Sequence, residues 1–357
     1  MIRGASARRA QWAVDEGVAL PGTGGFAGEL PDGRLVSDVL GRIPLFVDGD
    51  EWSFDPDTLA DPERFPAGHV GTGREHRRCW GLPSPPSLPR RVALVRLRRV
   101  LRTTLSEVDS DGLAVAFSGG VDSAVVASGT DAPLYAAGFP GSPDLAAARE
   151  SARAMGRAED LRVVELDTGT FEAAVPEVAR ATGRTNPMDV AIALPLYLVA
   201  ERARADGYTR LAVGQGADEL FGGYEKVAGA PSDSRTEART VRGARDETVR
   251  TLPDQLERDV RVLESAGVGV VAPLLHDRVV DAALRLPPEL LVDERGERKA
   301  GFRRAARAFV PDRVAFRGKK AVQYGSHVAR ELDRFAREAG FKSREERNVE
   351  RYVESRL

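Results

Sequence analysis

The residues of this 357-residue chain best suited to chemistry form two strings, Ser118-Gly119-Gly120-Val121-Asp122-Ser123 and Gly214-Gln215-Gly216-Ala217-Asp218-Glu219-Leu220-Phe221-Gly222-Gly223-Tyr224. In the first, two glycines let the backbone turn tightly, so its N–H groups and the hydroxyls of Ser118 and Ser123 can converge on an anion. A helix after the turn would add its positive end. Asp122 would repel a bare phosphate, which points to a Mg2+ ion between carboxylate and phosphate oxygens. The second string is another glycine-lined turn with carboxylates, suited to the other side of a metal–nucleotide site in which Asp122 and Asp218 share the ion. Each string taken alone also fits a capped strand-to-helix turn, and their joint placement at strand ends favours the nucleotide reading.

The surrounding pattern supplies the elements to hold them. Leu113-Ala114-Val115-Ala116-Phe117 is a continuous apolar run that enters the first string directly, as a buried parallel strand does. Further strands are expected at 134–139, 162–166 and 210–214, with helices over about 145–155 and 192–204 between them. Strands alternating with helices predict an α/β fold with a doubly wound parallel sheet and ligands at the carboxyl ends of its strands. Residues 1–82 read as a small, mainly β region with strands near 34–36, 44–47 and 51–54. The proline-rich 83–90 reads as a linker, 91–330 as the nucleotide-binding domain and 331–357 as a charged C-terminal helix. Leu94, Leu97, Leu101 and Leu105 mark a helix after the linker. Residues 231–250 are charged without an apolar stripe and read as a mobile excursion, and 252–357 as mostly helical.

Composition narrows the function class. A formal net charge of −2 gives no general pull toward nucleic acid or anionic lipid. No apolar run is long enough to cross a bilayer, the N-terminus lacks a secretion-signal pattern, and the single cysteine, Cys79, fits a reducing cytoplasm. The expectation is a cytoplasmic protein that acts on small molecules, with no nucleic-acid or membrane partner, in a possible homodimer. Basic residues are almost all arginine, so the adjacent Lys319-Lys320 stands out.

The two strings resemble the pyrophosphatase-type ATP loop and the later Gly-Asp-Glu loop of asparagine synthetase and its relative β-lactam synthetase. The likeness continues through Pro195-Leu196-Tyr197-Leu198, Ala266-Gly267, Pro273-Leu274-Leu275 and Arg317-Gly318-Lys319-Lys320, and covers roughly residues 90–330. It implies the adenine nucleotide alpha hydrolase-like fold with a helical C-terminal region, with ATP and Mg2+ as cofactors. The implied reaction is a Mg-dependent, AMP-forming amide ligation in which a small-molecule carboxylate becomes an acyl-adenylate, pyrophosphate leaves and ammonia or another amine attacks. Carried over, Ser118, Gly119, Gly120, Asp122 and Ser123 hold pyrophosphate, Val115, Gly138 and Gly214 frame the adenosine, and Asp122 and Asp218 hold the metal. Lys319 takes the place of the catalytic lysine, and Gln215, in the slot of a family Glu, is the second catalytic candidate. The alternatives are an adenylating ligase for a different acceptor and an inactive ATP-binding regulatory protein.

The match departs from the family pattern at two places. Gln215 stands where asparagine synthetases usually carry Glu, and Gly269 and Val271 replace a further family Glu and Arg. A neutral amide orients a substrate by hydrogen bonds but is no general base. The string 37–46 and Phe65-Pro66-Ala67-Gly68-His69 resemble the last third of an N-terminal-nucleophile glutaminase, whose nucleophile is a cysteine following the initiator Met; here that position is Ile2.

Three weaker patterns carry no function. Gly22-Thr23-Gly24-Gly25-Phe26-Ala27 fits a loose dinucleotide pattern without the flanking strand and helix. His69, His76 and Cys79 offer too few ligands for zinc. The arginine-rich stretches at 90–102 and 235–250 lack interleaved aromatics and read as solvated faces. With Ile2 in place of the cysteine, residues 1–82 are read as a shortened, catalytically silent glutaminase-like remnant. The expected outcome is ammonia use without glutamine hydrolysis: incubation with glutamine and ATP should release no glutamate, and glutamate release dependent on both would overturn this reading.

Overall fold

A computed structural model describes residues 1–230, 232–235, 237–318, 324–341 and 347–357, with the side chains of 324–326 left aside. Two compact units divide the chain. Asp109–Val213, Arg258–Val271 and Phe309–Leu357 form a sheet unit, and Met1–Val108, Gly214–Glu257 and Ala272–Ala308 form an N-terminal unit.

The sheet unit is built on five parallel strands: β1 (Leu113–Ala116), β2 (Leu134–Gly138), β3 (Leu161–Glu165), β4 (Arg210–Ala212) and β5 (Gly269–Val271), in the order β3-β2-β1-β4-β5. Their apolar runs explain that order. Leu113, Ala114, Val115, Leu134, Ala137 and Leu211 are buried, as strands covered on both faces require, while the edge strands β3 and β5 are partly exposed along their length. Helices Pro143–Ala154 and Pro187–Ala205 begin in the same way. Ser142 and Asn186 accept from the N–H groups of Leu145 and Asp189, and a proline follows each cap where no helical N–H is needed. This is the doubly wound α/β arrangement read from the sequence. The strand order reverses between β1 and β4, the topological switch point where such sheets hold ligands.

The N-terminal unit opens with antiparallel β structure. Strands Ile2–Arg3, Ala27–Glu29, Leu35–Ser37, His69–Gly71 and His76–Arg78 form one sheet, and Glu51–Ser53, Phe46–Asp48 and Glu63–Arg64 a second. Phe26, Val36, Val70 and Trp80 centre one core, Leu45, Val47 and Phe65 the other. No helix or strand occupies 81–89, and the helix Arg90–Ser106 follows. It buries Ala93, Leu97, Leu101 and Leu105, with Ala93 taking the inward place expected for Leu94. Among the described residues no helix is long and apolar enough to cross a membrane.

One expectation is corrected. Part of the supposed mobile excursion is the helix Val241–Val249, capped by Thr240, whose hydroxyl oxygen accepts from Gly243 N–H. It buries Ala244, Thr248, Val249 and Arg245, the last fully enclosed. The Arg245 guanidinium donates to the carbonyls of Leu220, Ala283 and Leu284 and to Asp246, so it supplies the anchor that an apolar stripe normally provides. Burial pulls its pKa down while Asp246 opposes the shift. Arg245→Ala leaves those carbonyls unsatisfied above a cavity, and urea unfolding should show a loss of roughly 3 kcal/mol. An unchanged midpoint would deny the helix this anchor.

Candidate functional site

The 118–123 loop leaves the carboxyl end of β1 with its backbone fixed from two sides. Gly119 adopts φ +73, where a Cβ would lie 2.5 Å from the Ala147 carbonyl oxygen, so a side chain is excluded on both conformational and steric grounds. Its own carbonyl accepts from Ser151 Oγ at 2.7 Å. Ser118 N–H donates to Ser123 Oγ at 3.2 Å, the two hydroxyls lie 3.2 Å apart, and Gly120 N–H lies 3.4 Å from Ser118 Oγ. The helix that follows, Val121–Ala127, has only seven residues and Gly120 at its N-cap with no side-chain cap. Its dipole is correspondingly short. Asp122 sits in its first turn, partly exposed, beside the buried Ser123. Val115 is fully buried in β1, and Gly138 closes β2, where a Cβ would lie 2.9 Å from Ser142 Oγ.

Arg317, named in the family string but given no role from sequence, contributes here. It donates to the Ala147 carbonyl and Ser151 Oγ, both at 3.2 Å, and to Glu150 Oε2 at 2.7 Å. It thereby supports from behind the two groups that touch Gly119.

The 214–224 loop begins one residue past Val213, which extends the β4–β5 pairing through its N–H bond to the Val271 carbonyl. Gly216 (φ +84) caps the short helix Ala217–Phe221 and Gly222 (φ +74) ends it. Inside the loop Asp218 Oδ1 lies 2.7 Å from Lys299 Nζ, whose side chain is only 5 % exposed. Gly223 is required beside the pair, since a Cβ there would come 2.4 Å from Lys299 Cε. Lys299 has φ 58, a left-handed conformation that costs a residue with a Cβ about 1–2 kcal/mol, and the buried ion pair holds it there. Glu219 is buried and accepts from the Tyr224 hydroxyl at 2.6 Å. Burial raises the pKa of Glu219, against the Tyr224 hydrogen bond and helped by the charge of Asp218. Burial and then the charge of Glu219 raise that of Tyr224. Phe221 stacks on Phe302 with centroids 4.5 Å apart, so the segment that supplies Lys299 also packs on the loop's apolar side.

Of the residues singled out by sequence, Val115, Ser118, Gly119, Gly120, Asp122, Ser123 and Gly138 thus belong to the sheet unit, and Gly214, Gln215 and Asp218 to the N-terminal unit. Lys319 lies outside the described residues. Among the described residues no group of three or more His, Cys, Asp or Glu side chains could hold a metal ion by itself.

Two strand-end loops with this chemistry lie within segments that match a known family: the asparagine synthase family matches residues 96–250 and 245–355. The chain belongs to the asparagine synthase family. It is 29 % identical over 266 residues to an asparagine synthetase-type protein of Methanocaldococcus jannaschii, glutamine-hydrolyzing by name, covering 65 % of this chain and 49 % of that protein. It is 26 % identical to the glutamine-hydrolyzing asparagine synthetase 1 of Lotus japonicus, covering 82 % and 55 %, and 28 % identical to asparagine synthetase B of Escherichia coli, covering 54 % and 34 %. The chain spans about half the length, or less, of the curated relatives it matches.

Lys299 is a further residue, held against the 214–224 loop, that motif reading missed, because its partner lies 81 positions away (299 − 218) and a lone lysine carries no spacing signal. Lys299→Met should cost about 2–3 kcal/mol in chemical denaturation, below the ~3–5 expected for a fully enclosed pair because Asp218 is a quarter exposed. Asp218→Asn added to Lys299→Met should restore part of that loss; additive losses would show that the two groups do not interact.

Proposed function

We propose that this chain is an ATP-dependent ligase that activates a small-molecule carboxylate as its acyl-adenylate, releases pyrophosphate and passes the acyl group to ammonia or another amine. The observation that carries this reading is the 118–123 loop: a glycine-tightened turn with two interacting serine hydroxyls, after the central strand at the switch point of a doubly wound sheet, within a segment of the asparagine synthase family. In this reading Ser118, Gly119, Gly120 and Ser123 grip the pyrophosphate portion of ATP. Val115, Gly138 and Gly214 border the adenosine.

The residues present fit Mg2+. That ion commonly takes one or two protein carboxylates and fills its remaining positions with phosphate oxygens and water, and Asp122, in the first turn after the loop, is such a carboxylate. Asp122 would hold it, with Asp218 as the second candidate, although Lys299 already offsets the charge of Asp218. When bound, the ion would neutralise phosphate charge as pyrophosphate departs. Lys319 is assigned by its place in the family motif to the charge that builds on the α-phosphate and the attacking carboxylate. With reactants held in line, positioning and charge neutralisation supply most of the rate.

Gln215 and Gly269 favour an acceptor other than aspartate as a second reading, because a neutral amide and a missing side chain stand where the family pattern places glutamates. A pyrophosphate-release screen over candidate carboxylates with ammonia present should find one that stimulates release. Asp122→Asn should abolish the Mg2+-dependent part of ATP binding, and Lys319→Ala should lower kcat by roughly 100-fold or more with little change in ATP affinity. ATP binding with no pyrophosphate release for any carboxylate would establish the regulatory alternative instead.

A further inference from the structure

The 37–46 string has no part in the chemistry above, yet it holds a set of groups wholly removed from water. Asp38 is fully buried, and its carboxylate accepts from the N–H groups of Phe26, Leu40 and Arg42 and from Arg42 Nε at 2.9 Å. Arg42 then reaches out of the β region. Its Nη1 donates to the Leu275 carbonyl at 2.7 Å and lies 2.7 Å from Asp277 Oδ1. The other oxygen of Asp277 accepts from the N–H groups of Gly22 and Thr23, both at 2.8 Å, and from the Thr23 hydroxyl. The glycine string that imitates a dinucleotide loop therefore cradles a side-chain carboxylate of the same unit. Gly25 is needed in it, since a Cβ there would lie 2.7 Å from Arg42 Cβ.

Leu275 is where this network meets the 214–224 loop. Its side chain is buried and lies against Gly216 so closely that a Cβ on Gly216 would come 2.3 Å from Leu275 Cδ2. Gly216 directly follows Gln215. A shift of Leu275 is thus felt at the residue next to Gln215.

We propose that Arg42 is a positioning residue: the N-terminal β region serves as a brace that, through Leu275, holds Gly216 and Gln215 in the conformation used for the acceptor. The role in acceptor use rests on the ligase reading above, whereas the brace itself does not. Buried ionic groups have few tolerable arrangements, because displacing one leaves others desolvated and unpaired. Such a network transmits position better than an apolar contact of equal size.

The test uses the full chain and three variants. Arg42→Lys keeps the charge and loses the planar fork; Leu275→Ala removes the contact with Gly216 and leaves the ion pairs in place. Arg64→Gln is the control, since Arg64 pairs with Asp254 and Glu257 at a more exposed position. Amide hydrogen exchange at 215–217 should quicken at least 10-fold in the first two variants and stay at the wild-type rate in the third. With the carboxylate that stimulates pyrophosphate release, kcat should fall at least 10-fold in the same two variants while the ATP dissociation constant changes less than 2-fold. The double variant should be no worse than the poorer single one, as expected of groups acting in one chain of contacts. Wild-type exchange at 215–217 in Leu275→Ala overturns the brace even if Arg42→Lys fails to fold. If no carboxylate stimulates release, the ligase reading falls and exchange alone decides the brace.

Discussion

Leu220 and Phe221 root the 214–224 loop in the apolar core, and the rest of it is a glycine- and carboxylate-rich stretch with little apolar surface to fix its own shape. It is held by cations withdrawn from water. Lys299 meets Asp218, Arg245 donates to the Leu220 carbonyl, and Arg42 donates to the carbonyl of Leu275, the side chain that confines Gly216. An enclosed cation is costly unless its N–H groups find acceptors, so each of these contacts tolerates little displacement. The three cations come from separate parts of the N-terminal unit, at 42, 245 and 299, and this ties the loop's shape to the folding of that whole unit.

The 118–123 loop obeys a different logic. It follows a strand whose side chains are fixed by hydrophobic burial, and the fixed strand end leaves only a few dihedrals to specify. Gly119 settles one of them through its left-handed φ, and Ser151, itself contacted by Arg317, settles the carbonyl. One loop is shaped by the core beneath it, and the other by buried Leu220 and Phe221 together with enclosed cations around it. They should differ accordingly in their response to ionic surroundings and to cavity-forming substitutions.

What could be read from sequence follows the same division. The parallel sheet was legible because buried strands flanked by helices leave continuous apolar runs, and the glycine strings because few other residues allow such turns. The helix Val241–Val249 was not legible, since a reading that places arginine outside cannot foresee a guanidinium used as a core group, as Arg245 is. The pairing of Lys299 with Asp218 was hidden by distance in sequence. The glycine string at 22–27 showed the opposite difficulty: its N–H groups do bind an anion, but that anion is the Asp277 carboxylate. Local pattern reveals that a backbone is prepared for negative charge; only the fold reveals whether the charge is a ligand or part of the chain.

That distinction bears on the chemistry of the loop itself. Asp218 is balanced by Lys299, and Glu219 is enclosed with the Tyr224 hydroxyl at 2.6 Å, its pKa raised by burial and then further by the charge of Asp218. A carboxylate at position 215 would add a third negative charge to this short loop. The amide of Gln215 adds none, and it presents both a donor and an acceptor. In the proposed reaction this loop would therefore recognise its acceptor by hydrogen-bond geometry more than by charge, and the demand on Gln215 is accurate placement. An amide that acts through direction alone loses its value if the backbone next to it can swing, and this gives a physical reason for a buried arginine network to end on the leucine that confines Gly216.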